Sequence, residues 1–234
     1  MNEGVGGKVY DLSGNGNTGA ITNALWVPSK FGPGLEFDAS GDYINCGPCG
    51  GKVFQNGNPV TIVTWVRIDS VGQTAGRIVD KATSTAGPML TITATSTIHF
   101  QADAGIDVIR EASDNSVTYG QYSHIAVTWD GSLTAANVHI YINGRECSYQ
   151  TTSDGTVPFV NNAAANLYIG NNASSALRCF DGVINYVMIY NRTLSATEVQ
   201  QLYIDPFGMF RREPIEIWGP AFAGALGIYV YDTE

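Results

Sequence analysis

The sequence predicts an all-β protein, an antiparallel two-sheet sandwich or jelly roll. Three observations predict it. Apolar and polar residues alternate with a period of two through most of the chain, the pattern of half-buried strands. An Asp-Gly and an Asn-Gly pair follow two of these runs, and such pairs are strong hairpin signals. The polar content is carried by Thr, Asn, Ser and Gly, which favour strands and turns, more than by Lys and Glu.

Composition bounds the function classes. Charged residues make up 14% of the 234 residues, well below the roughly 25% of an average soluble protein. A 44% hydrophobic and 11% aromatic content supplies a real core and excludes whole-chain disorder. No apolar run reaches the roughly 18 residues of a membrane helix, so no membrane insertion is expected. A net charge of -9 lacks the basic footprint of a nucleic-acid binder and gains nothing from an anionic membrane surface. The stretch from Met1 to Gly7 has neither the basic nor the apolar region of a secretory leader. A mature or trimmed chain, or exit by a route such as viral lysis, fits that start.

The strands follow in order. Val60–Ile68 places Val60, Ile62, Val66 and Ile68 on one face and Val63 and Trp65 on the other. Two partly apolar faces suit a central strand of packed sheets. Met89–Thr93, Ile98–Ala102 and Asp107–Glu111 continue the pattern. His124–Trp129 leads into Asp130-Gly131, and Val138–Ile142 leads into Asn143-Gly144. Leu167–Gly170 and Val183–Tyr190 complete the set. One helix is expected. Ser195-Ala-Thr-Glu198 is a capping box, with Ser195 as N-cap and Glu198 reaching back. Val199 and Leu202 share a face with Tyr203 beside them, and Asp205-Pro206 ends the element. Composition then shifts, which divides the chain into a domain over 1–205 and a C-terminal arm over 206–234.

Four cysteines are disulfide candidates: Cys46, Cys49, Cys147 and Cys179. Cys46-Gly-Pro-Cys49 has redox spacing, yet it sits in a Gly/Pro loop and not at a helix start beside a βαβ unit. A zinc site needs a second close pair, and Cys147 and Cys179 are far apart. Local or cross-strand disulfides, or buried thiols, remain, and four cysteines allow three pairings.

A series of stretches in order carries a resemblance. They are Val9-Tyr-Asp-Leu-Ser-Gly-Asn-Gly-Asn-Thr-Gly19, Leu35-Glu-Phe-Asp38 with Asp42-Tyr-Ile44, Val60 to Val66, His124 to Gly131, Ile140 to Gly144, Leu167 to Asn171, Phe180 to Asn191, and Leu194 to Tyr203. Over roughly 2–205 the chain resembles the laminin G-like domains of the concanavalin A-like lectin/glucanase superfamily. The resemblance implies a jelly roll of two antiparallel sheets. It also implies an apolar strand before Asn2-Glu3-Gly4, absent here, and an Asp pair, sometimes a calcium ligand, where this chain has Asn185-Tyr186. A sandwich short of one strand exposes an edge. Leu226–Tyr231 has the character to fill it, within its own chain or in a neighbouring subunit. Donation between copies that does not close would build a filament. The assembly residues are then Phe207, Phe210, Trp218, Ile228 and Val230.

Site chemistry is sparse. The Glu-x-Asp-x-x-Glu pattern that the glucanases imply is absent, and no paired carboxylates stand out for glycoside hydrolysis. His99, His124 and His139 sit inside strand patterns without a nucleophile. A calcium ion would draw on Asp38, Asp42 and Asn185 if their strands are neighbours. Glycan binding would use loop rings and amides, here Trp26, Tyr119, Tyr122, Asn161, Asn162 and Asn171. Two glycosylation sequons occur, at Asn172 and Asn191. The leading expectation is a non-enzymatic adhesion or structural module. It would be displayed outside the cell or on a virion surface, self-associate through its arm and bind glycans, with calcium as cofactor. The alternatives are a monomeric lectin and an accessory domain of an enzyme.

Overall fold

The structure is a computed structural model and describes residues 3–51, 54–81, 88–172 and 178–208. In chain order the strands are β1 (Lys8–Val9), β2 (Gly19–Thr22), β3 (Leu25–Ser29), β4 (Gly32–Asp38), β5 (Tyr43–Asn45), β6 (Val60–Ile68), β7 (Arg77–Asp80), β8 (Met89–Thr93), β9 (Thr97–Ala102), β10 (Val108–Ala112), β11 (Tyr122–Trp129), β12 (Val138–Ile142), β13 (Arg145–Glu146), β14 (Tyr149–Ser153), β15 (Tyr168–Ile169) and β16 (Asp181–Tyr190), followed by helix α1 (Ala196–Ile204). Nine strands form one sheet in the order β1-β2-β5-β15-β7-β8-β9-β10-β14, and seven form the other in the order β13-β12-β11-β6-β16-β4-β3. Neighbours run antiparallel, as expected for a jelly-roll sandwich.

The predicted two-faced strand explains how the layers are held. On β6, Val60, Ile62, Val66 and Ile68 enter the core between the sheets, with Phe37, Phe100 and Trp129 among their partners. Val63 and Trp65 point to the outer face, where α1 covers them with Val199 and Leu202. Burying those two helix side chains contributes about 2 kcal/mol each. The capping box fixes where the helix starts: Ser195 accepts from the Glu198 N–H, and Glu198 accepts from the Ser195 N–H at 2.8 Å.

The two turn signals end differently. Asn143 (φ 52°) and Gly144 (φ 76°) make the left-handed pair of a tight hairpin between β12 and β13. Asp130-Gly131 instead opens a connection through residues 130–137 that includes a short 3-10 turn before β12. A Cβ on Gly131 would lie 2.8 Å from the Gly57 carbonyl oxygen, so the glycine allows this connection to press against the loop before β6.

The edges on one side of the sandwich are β1 and β3, joined by the Trp26 Nε1 donating to the Gly6 carbonyl at 2.8 Å. Among the described residues β3 is an edge strand, and it carries Pro28, which interrupts a ladder.

Candidate functional site

A cleft of about 680 Å³ opens at one end of the sandwich. Three segments distant in sequence meet there: the loop between β1 and β2, the loop leading into β6, and the end of β16. Phe54, Pro59 and Ile189 supply apolar lining, while Asn15, Asn17, Asn58 and Asn191 bring amides, with Tyr190 and Cys49 completing the wall. This volume falls within the range of small-ligand pockets.

Local chemistry shapes each wall. The Asp11 carboxylate accepts from the Ser13 N–H (2.9 Å), the Asn17 N–H (2.9 Å) and the Asn17 Nδ2 (3.0 Å). Partial burial raises the Asp11 pKa, but these hydrogen bonds outweigh it and hold the carboxyl below its usual range. The Ser13 hydroxyl in turn accepts from the Asn15 Nδ2 at 2.8 Å. The second wall is clamped from behind. Asn162, buried, donates to the Phe54 carbonyl (3.0 Å) and accepts from the Asn56 N–H (3.1 Å). Asn56 donates to the Val160 carbonyl (3.0 Å) and accepts from the Asp103 N–H (3.0 Å). Asn58 donates to Gln55 Oε1 at 3.0 Å. Asn191 is exposed just beyond β16, and its amide bonds to no described residue.

A second polar region lies on the outer face of the nine-stranded sheet. The Arg77 Nε stands 3.0 Å from the buried Asp80 Oδ2, which also accepts from the Asn172 Nδ2 (3.1 Å). Gln101 Nε2 bridges Asp103 Oδ1 (3.2 Å) and Asp107 Oδ2 (2.9 Å). Burial, with the charges of Asp107 and Asp80 adding, raises the Asp103 pKa to about 6. Its Oδ2 has no hydrogen-bond partner among the described residues. On the opposite outer face, His124 is fully buried between Trp65 and Tyr203, with ring centroids 5.5 and 5.7 Å away. Neither of its ring nitrogens finds a partner among the described residues, and burial lowers its pKa to about 4.

The predicted calcium trio is not assembled. Asp42 Oδ2 accepts from the Asp38 N–H at 2.9 Å, so these two share one turn, and burial raises the Asp42 pKa. Asp38 pairs with Asp181, four residues before Asn185 on β16, a distance of about 13 Å at strand rise. Asn185 is committed to the β3–β4 hairpin, donating to Ser29 Oγ (2.6 Å) and the Pro33 carbonyl (3.0 Å). The three residues therefore do not fit one calcium ion. Among the described residues no three His, Cys, Asp or Glu side chains gather as a metal group.

Nor do the predicted glycan residues share a surface. Trp26 packs toward the inter-sheet core, whereas Tyr122 packs on the outer cluster around Trp65. Tyr119 is exposed in the turn before β11. Asn171 is buried and donates to Cys179 Sγ at 3.0 Å, which keeps its amide from any ligand. Asn161 is exposed and accepts from the Ala163 N–H, while Asn162 is the clamp behind the cleft wall. The asparagines of the cleft had no sequence signal beyond turn propensity, because three segments must fold together before they meet.

No disulfide joins any of the four cysteines in this structure, which matches the buried-thiol alternative. Cys147 lies on the connection from β13 to β14, while Cys179 sits just before β16 against the Gly41 N–H, so neither has a cysteine beside it. Burial raises Cys46 to about 12 and Cys147 to about 11, which keeps both protonated at neutral pH. Of the assembly residues, Phe207 packs edge-on to Phe31 (5.9 Å) and Tyr186 (5.3 Å). Phe210, Trp218, Ile228 and Val230 lie outside the described residues.

Solved structures share this architecture. The binding domain of Paraclostridial Mosquitocidal Protein 1 aligns with a TM-score of 0.68 at 16% identity, over 89% of this chain and 51% of that one. Domain 4 of AbnA, a GH43 extracellular arabinanase from Geobacillus stearothermophilus, solved with arabinotriose, aligns at 0.57 and 21% identity, over 82% and 91%. The binding domain of botulinum neurotoxin serotype G aligns at 0.61 and 20% identity, over 88% and 50%. At such identities the likeness speaks to the fold, and the chain spans about half the length of the two toxin domains. No curated protein sequence matches. The Laminin_G_3 family model matches residues 38–200, most of the sandwich just described, and the chain belongs to that family of the concanavalin A-like lectin/glucanases superfamily.

Proposed function

We propose that the protein is a non-catalytic saccharide-binding module acting outside the cell, with the end cleft as its binding site. The observation that carries this reading is the pairing of an apolar lining, from Pro59 and Ile189 with Phe54 buried behind them, with asparagine amides of which Asn191 is uncommitted among the described residues. A sugar presents a C–H face to the first and hydroxyls to the second. Amides both donate and accept, which suits hydroxyl recognition. The clamps at Asn162 and Asp11 hold the walls in place before a ligand arrives, which lowers the ordering cost of binding. Two of the similar structures are binding domains of toxins, and a third is an arabinanase domain in complex with arabinotriose. Arabino-oligosaccharides are therefore the first ligands to titrate, followed by a broad glycan panel with and without calcium.

The test is calorimetric titration of wild type and Asn191→Ala. Asn191 makes no structural hydrogen bond among the described residues, so its loss should not disturb the fold. Removing one ligand hydrogen bond of about 1 kcal/mol weakens binding about fivefold. If no saccharide in the panel binds, the reading fails.

A second reading is supported by Phe207. Its packing on Phe31 and Tyr186 pins the start of the arm to the outer face of the seven-stranded sheet. In this reading the residues that follow Gly208 bridge to a neighbouring copy, in an extracellular filament or on a virion surface. Light-scattering mass of the full chain beside a chain stopped after Gly208 decides it. A larger assembly only with the arm supports this reading, and two monomers remove it.

A further inference from the structure

Both sequons are equal as motifs, yet the fold treats them differently. Asn172 is buried, and its Nδ2 donates to the fully buried Asp80 Oδ2 at 3.1 Å. That nitrogen is the atom a glycan would be attached to. Substituting it would take a hydrogen bond from a buried carboxylate and force a large polar group into a packed layer, each a strongly destabilising change. Asn191 is the reverse case. It is exposed in the turn between β16 and α1, and its amide bonds to no described residue. The sequon hydroxyl of Thr193 donates to the Trp129 carbonyl at 3.1 Å, and Thr61 Oγ1 donates to the Arg192 carbonyl at 2.8 Å, so the turn is anchored while Asn191 projects.

We propose that Asn191 is an N-glycosylation site whose glycan closes the end cleft, while Asn172 stays unmodified. The second part rests on the saccharide-binding reading, because Asn191 stands on the wall of the cleft itself. The donor is a lipid diphosphate-linked oligosaccharide. A bond forms between Asn191 Nδ2 and the anomeric carbon, the carbon–oxygen bond to the diphosphate breaks, and the amide proton leaves as the lipid diphosphate departs. The attached saccharide is tethered at the mouth, where its effective concentration far exceeds that of a free competitor. A chain passing through a glycosylating secretory route would then reach the outside with its cleft occupied by its own glycan.

The experiment secretes the full chain from a eukaryotic host and maps glycopeptides by mass spectrometry. The expected result is a glycan on the Asn191 peptide and none on the Asn172 peptide. Thr193→Ala should abolish it, Thr193→Ser should restore it, and Ser174→Ala should leave it unchanged. A glycan on Asn172, or a bare Asn191, overturns the assignment. Saccharide titration then compares glycosylated wild type with the unglycosylated Thr193→Ala protein, which keeps Asn191. Loss of binding only in the glycosylated form supports closure, and equal binding overturns it. If bacterially produced protein binds no saccharide, the function reading fails on its own, and the peptide map still decides the modification.

Discussion

Two buried groups should give this protein a stability profile in which opposing pH effects hide one another. The His124 ring is buried with neither nitrogen hydrogen-bonded among the described residues, and burial lowers its pKa from 6.5 to about 4. Between those values the unfolded chain binds the proton and the folded chain does not. His124 therefore contributes stability that is complete above pH 6.5 and lost as pH falls toward 4. Asp103 behaves in the opposite sense. Its pKa rises from 3.8 to about 6, so the folded chain holds the proton more tightly, and stability increases as pH falls through 6. Each shift of roughly two units corresponds to about 3 kcal/mol at most. Wild-type stability should thus change little between pH 6.5 and 4.5. His124→Phe fills the same space beside Trp65 and Tyr203 and removes the proton acceptor. It should tip the balance toward Asp103, which burial-raised Asp42 reinforces and burial-lowered His99 opposes, so that relative to wild type stability gains up to about 2 kcal/mol as pH drops across that window. Asp103→Asn should show the reverse, a fall of similar size. Urea unfolding followed by tryptophan fluorescence at half-unit pH steps measures both. If the wild-type slope survives unchanged in both variants, the two groups do not control the window and the reasoning is wrong.

Other substitutions test the packing. Gly170→Ala should destabilise by about 3 kcal/mol or more in urea unfolding, because φ is +84° and the added Cβ would lie 2.1 Å from the Phe37 ring. Ser195→Ala should cost about 1 kcal/mol in the same assay through loss of the capping box. Asn162→Ala removes the clamp behind the cleft. It should lower stability by about 2 kcal/mol, from the buried groups left unpaired, and weaken saccharide binding in calorimetry. Thiol titration with a disulfide reagent at pH 8 should find Cys46 unreactive until the protein unfolds, since burial raises its pKa to about 12.

Much of the fold was legible because the strongest strands are also the most buried. β6, β11 and β16 form the centre of the seven-stranded sheet, and their apolar alternation reports two covered faces. Met89–Thr93 matches β8, and the capping box marks the start of α1. The illegible parts are edges. β14 reads Tyr-Gln-Thr-Thr-Ser, with no apolar alternation, and among the described residues it stands at the sheet edge, paired with β10 alone. It is held by contacts that sequence does not show, such as the Arg110 guanidinium over the Tyr149 ring at 3.6 Å. Asp130-Gly131 misled for a related reason. The dipeptide permits a tight turn, but the long-range approach of Gly131 to Gly57 requires a longer connection.

The site was harder to read than the fold, and for a physical reason. A strand announces itself within nine residues, but the cleft takes its amides from positions 15, 17, 58 and 191. Asparagine is common in turns, so each of these reads locally as a turn former. The same ambiguity makes Asn162 and Asn171 read as ligand contacts in the sequence. Both are turn-region amides, yet the fold spends one on the Phe54 carbonyl and the other on Cys179. What separates a structural amide from a ligand-binding one is whether the fold has already used its hydrogen bonds. By that criterion Asn191, without a partner beside an apolar-lined cleft, is the residue on which the saccharide reading and the glycosylation reading both turn. Its replacement by alanine is accordingly the change that should alter binding while leaving the urea midpoint where it was.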